Sequence, residues 1–137
     1  MSYLVDTNII SETSKTHPDK LVINWFEQVA ADDLYLSVLS IGEIRQGIER
    51  LSPSKKKNDL VIWLENALPS WFGKNILPIT KEIAEKWGYL NAVNKKSLPA
   101  IDGLLAATAL THNLKIITRN SKDFEIQGLE VVNPFMP

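Results

Sequence analysis

A chain of 137 residues with 45% hydrophobic and 23% charged side chains suits one compact fold and excludes an extended disordered chain. Zero cysteines and only two histidines, His17 and His112, exclude disulfides, thiolate zinc sites, cysteine nucleophiles and a His-rich metal centre. The net charge of −1 lacks the basic excess of many nucleic-acid binders, yet setting four of the 16 acids aside as one site leaves 15 basic residues against 12, so neutrality excludes little.

Met1 to Asp6 shows no basic segment leading into an apolar stretch, and no apolar run approaches the roughly 20 residues of a bilayer-spanning helix, so the chain reads as cytoplasmic. Tyr3-Leu4-Val5 followed by Asp6-Thr7-Asn8 predicts a buried strand running into a helix start. Leu21, Val22, Trp25, Phe26 and Val29 recur at helical spacing between Asp19 and Ala30. Leu34 to Val38 alternates as a strand, and Ile41, Ile44, Ile48 and Leu51 mark an amphipathic helix that Ser52-Pro53-Ser54 ends.

Lys55-Lys56-Lys57 opens a further helical stretch with Leu60, Val61, Trp63, Leu64 and Leu68, and Trp71 falls in a loop-like segment. Ile76-Leu77-Pro78-Ile79 is strand-like, its proline indicating a strand end or an edge. Lys81 to Asn94 is helical through Ile83, Trp87, Leu90 and Val93. Pro99 suits the start of a helix reaching about His112. Lys115 to Thr118 and Leu129 to Val132 complete the strands. Strands separated by helices predict an α/β fold with a mainly parallel sheet, whose ligand site lies at the carboxyl ends of the strands.

Four carboxylates stand out, each against a plainer reading. Asp6 ends the first strand and also suits a helix cap; Thr7 or Asn8 capping in its place would free it for a cation. Glu43 points about 120° from the centre of its apolar stripe, which predicts a rim or solvent position. Asp102 is the only formally charged residue between Leu98 and Leu114, in a helix apolar on nearly all sides. A carboxylate there is costly unless paired or bound to metal, although the helix dipole favours an acid in the first turn. Asp123 follows the Lys115–Thr118 strand in Thr118-Arg119-Asn120-Ser121-Lys122-Asp123-Phe124 and, taken singly, reads as an exposed turn acid.

Four oxygen donors without His or Cys favour a hard divalent ion, Mg²⁺ or Mn²⁺, and like charges gathered at strand ends need such an ion or a proton between them. A metal at such a site polarises a phosphate and activates water without a protein nucleophile. No glycine-rich phosphate loop and no nucleophile elbow competes. The tryptophans read as core. Lys55 to Lys57 reads as a solvated helix entry, whereas Arg119, Lys122, Lys95 and Lys96 adjoin the acids and are candidate phosphate contacts.

Tyr3-Leu4-Val5-Asp6-Thr7-Asn8, Ser37-Val38-Leu39-Ser40-Ile41-Gly42-Glu43-Ile44, Ile101-Asp102 and Thr118-Arg119-Asn120 with Asp123-Phe124 together resemble a PIN domain. More narrowly, the chain is similar to VapC toxins of type II toxin–antitoxin pairs, in the FitB-like branch. The resemblance spans essentially the whole chain and implies a single PIN-like nuclease domain over residues 1–137, folded as a three-layer α/β/α sandwich. It implies an endoribonuclease dependent on Mg²⁺ or Mn²⁺, with Asp6, Glu43, Asp102 and Asp123 as the catalytic, metal-binding acids. Asn8, Thr118 and Asn120 match its supporting polar positions. It also implies a homodimer, an RNA substrate, a VapB-like antitoxin, and operator DNA reached only through the antitoxin complex.

The expected reaction is hydrolysis of an RNA phosphodiester by metal-activated water, with Asp6, Asp102 and Asp123 on the metal and Glu43 orienting the water or a second ion. Alternatives on the same carboxylates are a DNA nuclease or a phosphatase, and outside catalysis a silent interaction module. A phospho-acceptor receiver domain wants a lysine late in the sheet, which Thr118-Arg119-Asn120 does not supply.

Overall fold

In the computed structural model, which describes residues 1–136, the apolar run Tyr3–Val5 forms the central strand β1. Two helices, α1 (Thr7–Thr13) and α2 (Lys20–Glu27), lead to β2 (Leu34–Ser37). Next come α3 (Val38–Glu49), α4 (Lys55–Ile62) and α5 (Leu68–Phe72), then the short strand β3 (Ile76–Leu77). The hairpin of α6 (Lys81–Val93) and α7 (Ala100–Thr111) returns the chain to β4 (Lys115–Ile117). A 3₁₀ turn at Ser121–Phe124 precedes β5 (Val131–Val132).

Every strand pairing is parallel, and the order across the sheet is β3-β2-β1-β4-β5. The chain therefore winds outward from β1 to β3, then crosses back to place β4 on the other side of β1. That reversal opens a crevice at the carboxyl ends of β1 and β4, where sheets of this kind bind ligands.

Alternation along the strands divides the core in two. Val5, Leu36 and Ile117 face α1 to α5, while Leu4 and Ile116 face α6 and α7. Helices thus cover both faces of a parallel sheet, the three-layer α/β/α sandwich that the resemblance implied.

Proline positions follow the expectation. Pro78 directly follows β3, an edge strand, where its missing N–H breaks no ladder. Pro99 directly precedes α7. The segment around Trp71 departs from expectation, being helix and not loop. The Leu68 amide bonds the Trp63 carbonyl five residues back, a π turn that carries α4 into α5 across Pro69. Trp71 then packs on Phe26, with ring centroids 5.1 Å apart, and on Phe72 at 4.9 Å.

The hairpin of α6 and α7 holds one close approach that depends on glycine. A Cβ on Gly103 would stand 3.0 Å from both Cδ1 and Nε1 of Trp87, so the indole lies directly on the α7 backbone beside Asp102. Among the described residues, no helix is long and apolar enough to cross a membrane.

Candidate active site

Asp6 occupies the crevice because β1 ends at Val5 and the backbone turns there into α1. The carboxylate caps α1 itself, Oδ1 accepting from the Thr7 amide over 2.7 Å. Capping by Thr7 or Asn8, the alternative that would free Asp6, is not what forms. Oδ2 is held separately, accepting from Thr118 Oγ1 at 2.7 Å and from Asn8 Nδ2 at 3.4 Å. Thr118 follows β4 directly and is fully buried, so the Asp6–Thr118 bond closes the crevice between β1 and β4. Asp6 is 7% exposed. Burial pushes its pKa above the ordinary value against the lowering bonds from Thr118 and Thr7, and the charges of Glu43 and Asp123 add to the rise.

Glu43 lies in the second turn of α3, half-buried at the rim as its angular position predicts. Its Oε1 accepts from Thr7 Oγ1 at 2.5 Å. Thr7 therefore grips Asp6 with its amide and Glu43 with its hydroxyl. Sequence pattern marks Thr7 only as a cap; the available signal is a hydroxyl in the first turn of a helix, free to reach a neighbouring element.

Asp102 sits in the first turn of α7, and Pro99 before it offers no side-chain cap. The helix is buried as expected from Gly103 through Ala109, with Leu104 half-buried, but Asp102 itself stands half-exposed at the helix mouth. Its pKa is raised to about 6, first by burial and then by the charges of Asp6, Asp123 and Glu43. Asp123 is exposed in the turn after β4, where its amide donates to the Asn120 carbonyl at 2.9 Å. The charges of Asp6, Asp123 and Glu43 thus act together on Asp102, although the four acids come from four separate segments of the chain.

The supporting polar residues join the same network. Asn8 Oδ1 accepts from the Arg119 amide at 3.2 Å, and Thr118 Oγ1 accepts from the Asn120 amide at 3.1 Å. Asn120 contributes here through its backbone. Arg119 turns its guanidinium onto the Phe135 ring, 4.5 Å from the centroid, while Asn133 Nδ2 donates to its carbonyl. Lys95, Lys96 and Lys122 line a cavity with Asp123.

Glu12, which no sequence pattern singles out, is 5% exposed at the end of α1. It accepts from the Asp19 amide at 2.9 Å and pairs with Lys15 at 2.8 Å, tying α1 to the entry of α2. The Lys15 contact holds its pKa below the ordinary carboxylate value.

Among the described residues, no three acidic or imidazole side chains converge closely enough to ligate one ion together. The donor set nevertheless fits a hard cation. It is all oxygen, Asp6 is pre-oriented by three hydrogen bonds, and Asp102 holds a raised pKa that positive charge would lower. Mg²⁺ commonly retains several waters and takes only one or two direct carboxylates, so three direct ligands are not required.

Residues 3–127 match the model of the PIN domain. Toxin FitB of Neisseria gonorrhoeae is 35% identical over 135 residues, 96% of this chain and 97% of that protein. VapC ribonuclease Y4jK of Sinorhizobium fredii is 34% identical over 138 residues, covering 98% of each. The solved structure of FitAB bound to an IR36 DNA fragment superposes with a TM-score of 0.90 at 32% identity, covering 98% of this chain and 96% of that one. A doubly wound parallel sheet with acids at its switch point, together with these near full-length likenesses, establishes that the chain belongs to the PIN-domain family, with FitB and the VapC ribonucleases among its relatives.

Proposed function

We propose that the chain is a metal-dependent endoribonuclease that hydrolyses RNA phosphodiester bonds and acts as the toxin of a toxin–antitoxin pair, inhibiting translation in the cytoplasm. The observation that carries the chemistry is the grouping of Asp6, Glu43, Asp102 and Asp123 at the β1–β4 crevice, where burial first and the three neighbouring carboxylates second raise Asp102 to about 6. Ribonuclease and toxin are the activities named for its relatives.

Asp6, Asp102 and Asp123 would hold the ion, in part through its retained waters, with Mg²⁺ or Mn²⁺ suited to their hard oxygen donors. When bound, a divalent ion supplies Lewis-acid polarisation of the phosphate and an acidified water. Thr118, Thr7 and Asn8 keep Asp6 aimed, because each donates to its carboxylate. Thr7 fixes one oxygen of Glu43, which leaves the other to orient the attacking water.

The partner proposed is a VapB-like antitoxin, with operator DNA contacted only through the complex; FitAB, a solved relative, is a two-component assembly bound to DNA. An apolar groove of about 290 Å³ offers it a seat. The groove starts at Thr7 and Glu43 and continues along Ile44, Ile48, Leu60 and Trp63. A homodimer and a single domain over residues 1–137 complete the proposal.

Purified protein with Mg²⁺ or Mn²⁺ should cleave RNA, lose the activity in excess EDTA, and lose it in Asp6→Asn and Asp102→Asn. Variants that cut like the parent would remove the assignment. Duplex DNA and a phosphomonoester, run under the same metal condition, distinguish the DNA nuclease and phosphatase readings.

A further inference from the structure

Strand β5 is the sheet's edge on the β4 side, and the two strands run parallel, so their carboxyl ends fall together. Asn133 directly follows β5 and Thr118 directly follows β4, with the Thr118 amide donating to the Val132 carbonyl at 3.0 Å. Asn133 lies beyond residues 3–127, the stretch that matches the PIN domain. Among the described residues, it makes no hydrogen bond to any of the four acids.

Its carboxamide nevertheless belongs to a one-way run of hydrogen bonds that ends on Asp6. The Phe135 amide donates to Asn133 Oδ1 at 2.9 Å, the turn that asparagine makes with the backbone two residues on. With the oxygen so engaged, Nδ2 donates to the Arg119 carbonyl at 3.1 Å. That carbonyl shares its peptide with the Asn120 amide, which donates to Thr118 Oγ1 at 3.1 Å. Thr118 Oγ1 then donates to Asp6 Oδ2 at 2.7 Å. Every link points the same way, so each acceptor polarises the next donor and strengthens its bond. The start of the run is anchored in the core: Pro134 is buried, and the Phe135 ring packs against the layer of α1 to α5 with the Arg119 guanidinium on its face.

We propose that Asn133 is a positioning residue for Asp6, acting through the Arg119–Asn120 peptide and Thr118 to hold the carboxylate in one orientation toward a divalent ion. The proposal rests on the metal-dependent ribonuclease reading and extends its site to the turn after β5. Asn133 contacts neither substrate nor metal. Its contribution is the polarised donor at Thr118, and hydrogen bonds that orient a ligand carboxylate govern how well that ligand binds its metal.

Calorimetric titration with Mn²⁺ and amide NMR of the metal-free protein test it. Asn133→Ala should weaken Mn²⁺ binding about threefold, less than the loss for Thr118, which touches the carboxylate directly. Without metal, the Asn120 amide proton should move upfield in this variant, because its peptide loses the donor that polarised it. Asn133→Ser keeps a side-chain acceptor for the Phe135 amide but has no carboxamide to reach Arg119, so it should bind Mn²⁺ no better than Asn133→Ala. Val131→Ala is the control for stability alone. Its side chain packs on the α6–α7 side of the same strand, so it should lower the melting temperature and leave Mn²⁺ affinity at the parent's value.

Coupling is the decisive readout. In a Thr118→Val background, Asn133→Ala should cost no further Mn²⁺ affinity, because the path it acts through is already cut. Additive losses, or an Asn133→Ala protein with the parent's affinity and an unmoved Asn120 amide, would overturn the role. A parent that binds Mn²⁺, shows this coupling and cuts no RNA would instead remove the ribonuclease reading and leave the role of Asn133 standing. A parent that cuts RNA while its Mn²⁺ affinity is indifferent to Asn133 would do the reverse.

Discussion

Thr118 Oγ1 donates to Asp6 Oδ2 over 2.7 Å, joining residues 112 positions apart across the gap between β4 and β1. Thr118 is fully buried, and its oxygen also accepts from the Asn120 amide, so one hydroxyl couples the first strand to the turn that carries Asp123. Thr118→Val keeps the shape and removes both bonds. Stability should fall by about 1–3 kcal/mol, because buried polar groups lose their partners. Affinity for Mn²⁺ should fall by about tenfold or more, the usual effect of losing a hydrogen bond that orients a ligand. Calorimetric titration and thermal melts measure the two, and Thr118→Ser should recover most of the binding loss.

Asp102 gives the site a defined pH response. Its folded pKa of about 6 lies above the ordinary 3.8, so the folded state favours the proton. The stability it contributes is complete below pH 3.8 and is lost as pH rises through about 6. Asp102→Asn should therefore melt several degrees above the parent at pH 8, with the gap closing toward pH 4. In the parent, divalent metal competes with this proton, so metal affinity should weaken as pH falls below about 6. Equal melting temperatures of parent and variant at pH 8 would contradict the account.

Glu12 has the opposite sign. Contact with Lys15 lowers its pKa below 4.5, so its stabilisation is present above that value and is lost as pH falls through the folded pKa. Glu12→Gln should cost about 1.5–3 kcal/mol at pH 7, the range for hydrogen bonds to charged groups, and progressively less in acid. Urea denaturation at pH 7 and pH 3 reads the difference.

Gly103→Ala sets a methyl against the half-buried Trp87 indole at 3.0 Å, so the ring or the helix must shift by a few tenths of an ångström. Overpacking of this kind costs about 1–3 kcal/mol. Trp87→Leu should relieve the clash, so the double variant should lose less than the two single losses combined. Additive losses in thermal denaturation would show that the two side chains do not meet.

The sequence by itself determined the elements and most of their order. Tyr3-Leu4-Val5, Leu34 to Ser37 and Lys115 to Ile117 form strands because apolar, β-favouring runs end at turn formers. The Ile41-Ile44-Ile48 stripe sets α3 and puts Glu43 at its rim. Resemblance in short ordered motifs reached the family. Local pattern could not decide the roles of single residues, because each acid also suits a cap, a turn or a surface.

Tertiary structure decided what those acids do together. Strand order β3-β2-β1-β4-β5 places Asp6 and Thr118 side by side, although nothing near either residue announces the other. Thr7, a cap by local pattern, joins Asp6 to Glu43 because α1 and α3 pack on the same face of the sheet. Asp102, a buried acid by its apolar surroundings in sequence, stands at the mouth of its helix and owes its raised pKa partly to three carboxylates distant in sequence. Periodicity reports which face of an element is apolar; electrostatic coupling depends on distances that only the sheet's winding fixes.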